Sequence, residues 1–216
     1  MNILIACECS GIIRNAFRKK GHNAWSCDLK PQEGNEGGYH LQGDVRWWLN
    51  DPEWKWDMMI AHPDCTYLTN SAAWAYKEPP YHQKVKPETL TGQARRQARQ
   101  EAIEFAETLW DADIEKVVIE NPAGYLSTMS KLGKPSQIIQ PYEYGDNASK
   151  RTCLWIRNLP LLKPTKYYPP RIVNGKKRWG NQTDSGQNKL TPNDNRAAKR
   201  AQTYQGWADA MADQWG

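Results

Sequence analysis

The chain has 216 residues, 39% of them hydrophobic and 25% charged, and a net charge of +5. That length suits one α/β domain with a substantial core and is short for two full domains. No apolar run reaches the ~18 residues of a membrane span, and Met1 leads into a strand-like run with no basic signal region, so the expected location is the cytosol. Five cysteines, an odd count with Cys7, Cys9 and Cys27 in or beside apolar runs, fit a reducing compartment and not a disulfide framework. No second Cys/His pair accompanies Cys7 and Cys9 at ligand spacing, so no metal is expected. The mild positive charge agrees with a nucleic-acid partner without requiring one. Eleven tryptophans cluster in runs such as Arg46-Trp47-Trp48 and Trp54-Lys55-Trp56; they read first as packing aromatics and second as a base-stacking surface.

In chain order, the apolar run Asn2–Ala6 reads as a buried parallel strand. Residues 12–20 place Ile13 and Phe17 on one face and basic residues on the other, predicting an amphipathic helix ended by Gly21. Residues 24–27 form a second strand with Asp28 at its C-terminal end, which makes a βαβ opening. Residues 39–42 give a short third strand before Gly43-Asp44, and residues 57–61 a fourth, with His62-Pro63-Asp64-Cys65 just past its end. Residues 70–90 mix Pro, Tyr, Trp and Lys without period and read as a long loop, a kind of segment that is often functional. A helix runs from Thr91 to about Trp110, with Ala98, Ala102, Phe105, Ala106 and Leu109 on one side. Its Arg95, Arg96 and Arg99 are assigned to a solvated face, with a phosphate contact as the alternative.

Residues 116–119 are a fifth strand ending at Glu120-Asn121-Pro122. Two more follow at 137–140 and 152–156, the second led in by Lys150-Arg151. Residues 161–190, rich in Pro, Gly, Lys and Tyr, read as an irregular insert after a core of residues 1–160. Thr191-Pro192-Asn193-Asp194 has the features of a helix start: a cap, a proline at the first helical position and an acid three residues after the cap. One helix, or two broken near Tyr204-Gln205-Gly206, makes up the closing segment 191–216.

Strands alternating with helices predict a doubly wound, mostly parallel sheet, whose ligands bind at the C-terminal strand ends. Ser10, Gly11, Asp28, Asp44, Cys65 and Glu120 all fall at such ends. The first turn holds one glycine and no G-x-G-x-x-G, and Glu8 there would repel a pyrophosphate but accept from a cationic amino acid group. A nucleotide-type cofactor without phosphates fits this turn best. Asp28 stands where an acid binds ribose hydroxyls, or is a cap or turn residue; Asp44 is placed to accept from an adenine amino group. Cys65, in a strand-end loop, is a candidate nucleophile or an inert thiol, and the neighbouring anion Asp64 disfavours its thiolate. Glu120 is its partner acid or a structural carboxylate.

These residues, in this order, resemble the DNA (cytosine-5) methyltransferases, in a short form of the kind encoded by phages. The stretch from Ile3 to Gly11 is similar to the family's first S-adenosylmethionine motif, Cys27-Asp28 to its ribose-binding acid and Gly43-Asp44-Val45 to its adenine motif. Pro63-Asp64-Cys65 followed by Leu68-Thr69 resembles the Pro-Cys loop, Ile119-Glu120-Asn121 the Glu-Asn motif and Lys150-Arg151 the start of Arg-x-Arg. Residues 190–202 and 205–215 resemble the C-terminal motifs that complete the cofactor pocket.

The resemblance implies a Rossmann-like S-adenosylmethionine-dependent methyltransferase fold, DNA as partner and a bacterial host cytoplasm. It implies cofactor contacts from Cys7, Glu8, Ser10, Gly11, Asp28, Leu29, Asp44, Val45, His62 and Pro63, with segment 191–216 packing back on the pocket, which faces Cys65. It gives Cys65 the role of nucleophile at cytosine C6, Glu120 that of holding the base edge and helping protonate N3, and Arg151 that of positioning the base. Residues 161–190 would be a reduced target-recognition segment. Asp64 stands where the family has proline, Cys153 where it has a second arginine, and Pro122 where it usually has valine. The competing readings are methylation of a free pyrimidine nucleotide, a non-catalytic nucleic-acid binder that keeps the fold, and, less well matched, exocyclic-amino methylation at residues 62–65.

Overall fold

In the structure, a computed structural model that describes residues 1–34, 38–190 and 203–216, the predicted strands assemble into one sheet. They are β1 (Asn2–Ala6), β2 (Asn23–Asp28), β3 (His40–Gln42), β4 (Met58–Ala61), β5 (Lys116–Pro122), β6 (Gln137–Ile139) and β7 (Thr152–Arg157), ordered β3-β2-β1-β4-β5-β7-β6. The pairs β1/β2, β2/β3, β1/β4 and β4/β5 are parallel, and β7 alone runs against both its neighbours.

Ile3, Leu4, Ile5, Met58, Met59 and Ile60 are fully buried because both faces of the sheet are covered. Ile3, Ile5, Met58 and Ile60 point to one face, where they meet Ile13 and Phe17 of α1 (Ile12–Lys19) and a C-terminal helix, Gln205–Trp215, through its Trp207, Met211 and Trp215. Leu4 and Met59 point the other way, onto Ile103, Ala106 and Leu109 of a long helix, Gly92–Trp110. Two short helices complete the set, α2 (Val45–Leu49) and α4 (Leu126–Met129), so the long helix is α3 and the C-terminal one α5. The chain leaves β1 for β2 on one side and returns to β4 on the other, which puts the topological switch point, and with it a crevice, at the C-terminal ends of β1 and β4.

The structure departs from the sequence reading in two places. Within residues 70–90 it forms a 3₁₀ segment, Asn70–Tyr76, which packs on α3. This packing removes Arg95 from the solvated face: it is 5% exposed and donates to the carbonyls of Leu90 and Thr66, at 3.3 Å each. Arg99 lies over the rings of Tyr76 and Tyr125, and Arg96 pairs with Glu78. An Arg on an apolar face can be buried when carbonyls and aromatic rings take its charge, which helical periodicity does not disclose.

The second departure is residues 161–190, which contain a hairpin of β8 (Arg171–Val173) and β9 (Lys176–Arg178) around Asn174-Gly175. The insert docks on the segment before β7. Trp179 stacks on Tyr142 with ring centroids 4.0 Å apart, and Asn181 exchanges two hydrogen bonds with the backbone of Ser149. Trp25, Trp48, Trp54 and Trp56 follow the packing reading, meeting one another in a single aromatic cluster, whereas Trp47 is exposed. The helix start expected at Thr191-Pro192-Asn193-Asp194 lies outside the described residues. Among the described residues no helix is long and apolar enough to cross a membrane.

Candidate active site

After β1 the chain turns through Cys7, a non-glycine residue at φ +58°, and reaches Gly11 at φ +71°, directly before α1. Glu8 caps that helix from within the turn. Its Oε1 accepts from the Ser10 hydroxyl at 3.1 Å and from the Ile13 amide at 3.0 Å. Its Oε2 is buried and has no hydrogen-bond partner among the described residues. Gly11 is required by its backbone and by its neighbour, since a Cβ there would stand 2.3 Å from the Arg14 guanidinium.

A cavity of about 870 Å³ opens at the switch point. Cys7, Glu8 and Ser10 line it from β1, Asp28, Leu29 and Lys30 from β2, Asp44, Val45 and Arg46 from β3, and His62 and Asp64 from β4. Eight of the ten residues expected around a cofactor are thus on one wall: Cys7, Glu8, Ser10, Asp28, Leu29, Asp44, Val45 and His62. Gly11 and Pro63 do not line it. Gly11 serves Arg14 as described. Pro63 is buried, and its carbonyl accepts from the Asn121 side chain at 2.7 Å.

Asp28 and Asp44 each hold both positions left open in the sequence, lining the cavity while serving local structure. Asp28 accepts from the Lys30 amide at 2.9 Å. Asp44 is the N-cap of α2, accepting from the Arg46 amide, and it grips the Arg46 guanidinium, whose hydrogen bonds hold its carboxyl below the usual range. Sequence reasoning missed the opposite wall, built by Glu101, Glu104, Phe105 and Thr108 of α3. Their i, i+3, i+4, i+7 spacing is a helix face, but a mostly polar one, and such a face reads as solvated until the sheet edge is placed against it. Thr203, just before α5, completes the lining.

Cys65 and Glu120 lie beside the cavity and not on its wall; His62 and Asp64 are the residues that reach both regions. Asp64 takes over the stiffening that a proline would supply: its Oδ1 accepts from the Thr66 amide at 2.9 Å and the Thr66 hydroxyl at 2.8 Å, closing a tight turn. The loop is also clamped at Gly124, where a Cβ would lie 1.9 Å from the Leu68 carbonyl. Burial, then the charges of Asp64 and Glu120, push the Cys65 thiol up, and only partly does Lys150 offset them. Cys65 is therefore a thiol at neutral pH.

Glu120 lies in β5 one residue past its last pairing with β4, and its Oε2 lies 2.9 Å from His62 Nδ1, with the Glu120 and His62 side chains only 12% and 13% exposed. Burial favours its neutral form, but the His62 hydrogen bond and the Lys150 charge outweigh burial and hold the carboxyl below the usual range. Three buried polar atoms here have no partner among the described residues: Glu120 Oε1, His62 Nε2 and Asn121 Oδ1. Lys150 is the cation whose field reaches both Cys65 and Glu120. Arg151, the residue read from the sequence, is at the same sheet edge but exposed, and its charge bears on Cys153. Cys153 is buried in β7 in register with Asn121 and Ile138, a position with no room for solvent around a guanidinium.

A mostly parallel seven-stranded sheet with one reversed strand beside its end, helices on both faces and a cavity at the switch point define a doubly wound, Rossmann-like α/β fold. No family model and no curated protein matches the chain. Among solved structures it is similar to a protein described as a prophage-encoded DNA modification methyltransferase of E. coli, at 12% identity and a TM-score of 0.48, over 79% of this chain and 52% of that one. It is also similar to a mutant of DNMT2 from Spodoptera frugiperda, at 13% identity and a TM-score of 0.37, over 82% of this chain and 57% of that one. The chain thus spans just over half the length of these proteins. The fold class rests on the sheet itself.

Proposed function

We propose that the chain transfers a methyl group from S-adenosylmethionine to C5 of cytosine in DNA, with Cys65 as the nucleophile. The observation that carries this reading is the grouping of Cys65, the Glu120 carboxylate and Lys150 directly beside an acid-lined cavity at the switch point.

The cavity fits the methyl donor in charge. Seven acidic side chains line it against two basic ones, and Glu8 Oε2 is a buried acceptor with no partner, suited to an ammonium group. Bound there, the donor supplies an electrophilic methyl on a sulfonium. Glu8, Asp28, Asp44, Val45 and Phe105 are the residues that would hold it.

Cytosine C5 is a poor nucleophile. Cys65, having given its proton to solvent, adds to C6 and makes C5 enamine-like; the sulfur–methyl bond of the donor breaks as the C5–methyl bond forms, and loss of the C5 proton to solvent with elimination of Cys65 from C6 then restores the ring and frees the product. Glu120 accepts from the donor edge of the base, and its engagement with N3 is completed only when a proton is supplied to the ring. Lys150 and Arg151 offset the negative charge that develops on the base. A base within a duplex must flip out to reach Cys65. DNA is preferred over a free nucleotide because residues 161–190 hold seven Lys/Arg and one Asp, whereas the rest of the chain holds 22 basic and 23 acidic residues.

The test uses tritiated S-adenosylmethionine with DNA or dCMP, for the wild type and Cys65→Ala. Label is expected in DNA, with a loss of at least ~10³-fold in Cys65→Ala and donor binding retained. Label in neither substrate, with the donor bound, would falsify the enzymatic reading. Label confined to dCMP would establish the free-nucleotide reading, and label surviving in Cys65→Ala would remove the nucleophile.

A further inference from the structure

We infer that His62 is a positioning residue for Glu120: its hydrogen bond ties up one carboxylate oxygen and leaves the other as the acceptor presented to the substrate base. This rests on the reading of Cys65 and Glu120 as the site of transfer, and it gives His62 a role different from the cofactor contact expected of it.

The geometry is specific. His62 is the first residue after β4 and Glu120 lies on the adjacent strand β5, so the sheet itself sets their separation. His62 Nδ1 and Glu120 Oε2 are 2.9 Å apart, and both side chains are almost fully buried. Each group has its second polar atom, His62 Nε2 and Glu120 Oε1, buried and without a partner. Leaving a carboxylate oxygen unpaired in a dry site costs free energy, so an arrangement that does so is matched to a donor that arrives later.

The orientation has a chemical consequence. An ionised Glu120 is an acceptor only, so Oε1 selects a base edge that donates, such as the exocyclic amino group of cytosine, over the carbonyl of uracil or thymine. His62 and Lys150 both favour that ionised form. The Glu120 charge bears in turn on Cys65, which Asp64 flanks, and on Cys153, which Arg151 flanks, while Glu8 lines the same cavity as His62. Of these, only His62 donates a hydrogen bond to Glu120.

The test reads the ionisation of Glu120 directly, by carboxyl ¹³C NMR of protein labelled at glutamate. The Glu120 resonance is assigned by its loss in Glu120→Gln. His62→Ala is expected to move its titration to higher pH, and His62→Asn, which keeps a donor but no ring charge, to move it less. Methyl transfer in His62→Ala is expected to fall about 10- to 100-fold in kcat, the worth of one charge-assisted hydrogen bond, with the acidic limb of the pH profile displaced upward and partial rescue in His62→Asn. Coincident titrations in wild type and variants would overturn the inference, and His62→Asn alone decides it if the alanine variant does not fold. Loss of donor affinity with an unmoved Glu120 titration would return His62 to the cofactor wall. A wild type that methylates nothing would sink the proposed function while leaving the NMR comparison to decide the role of His62.

Discussion

The cavity wall and the insert over residues 161–190 carry opposite charge: seven acidic and two basic side chains line the first, while the second holds seven basic residues and one acidic. The cavity is recessed and its charges are bound into local structure, Glu8 capping α1 and Asp44 capping α2. In the insert Lys166, Lys176 and Lys177 are exposed, and the hairpin is held to the sheet edge by the Trp179–Tyr142 stack. A net charge of +5 is the average of these two and describes neither. On the proposed function the first pole would take a compact cation and the second a polyanion, and salt screens exposed charges that lie more than about 10 Å apart.

The sharpest way to break this contrast is at Glu8. Glu8→Gln should weaken S-adenosylmethionine binding by about 10- to 100-fold, the worth of a charge-assisted hydrogen bond, while leaving DNA affinity unchanged. Titration followed by the fluorescence of the native tryptophans reads both. An unchanged donor affinity would show that the unpartnered oxygen serves the fold and not a ligand.

A smaller effect is expected from the opposite pole. Lys176→Glu together with Lys177→Glu should reduce DNA affinity by roughly 10-fold at low salt and lower the salt slope by about 2, with donor binding intact. If the slope is the same in both proteins, the hairpin does not touch phosphates.

The smallest effect lies between the two poles, at Asp64. The anion raises the Cys65 thiol, so the thiolate forms only as pH rises through that elevated range, and transfer should increase with pH on the alkaline side. Asp64→Asn keeps an acceptor for Thr66 but removes the charge. The rising limb should then move to lower pH and the neutral rate should rise about 2-fold, the modest size of an exposed charge's influence. A pH–rate profile unmoved by the change would mean that burial alone sets the thiol.

Much of the sheet was legible because its signals are local. Runs such as Ile3-Leu4-Ile5-Ala6 and Met58-Met59-Ile60-Ala61 admit few conformations but a buried strand, and each ends at a polar residue that must leave the sheet. Cys65 and Glu120 were legible as residues at strand ends. Their relation to the cavity was not, because a strand end says nothing about which side of a neighbouring side chain a pocket opens. The α3 wall, the burial of Arg95 and the hairpin around Asn174-Gly175 were missed for one reason: each consists of polar residues whose environment is supplied by a distant segment.

The opening strand and turn illustrate the division. The amino-acid sequence by itself determined a parallel α/β sheet, the strand ends that bear polar groups, and a first turn unsuited to phosphates, since hydrophobic periodicity and the lack of glycines are properties of contiguous residues. Only the tertiary structure disclosed that, among the described residues, the charge of Lys150 bears on both Cys65 and Glu120 while that of Arg151 bears on Cys153, and that His62 is tied to Glu120. Those facts depend on distances of a few ångströms between residues up to 85 positions apart (Cys65 and Lys150), and electrostatic and hydrogen-bond energies are set by such distances and by burial, not by order along the chain.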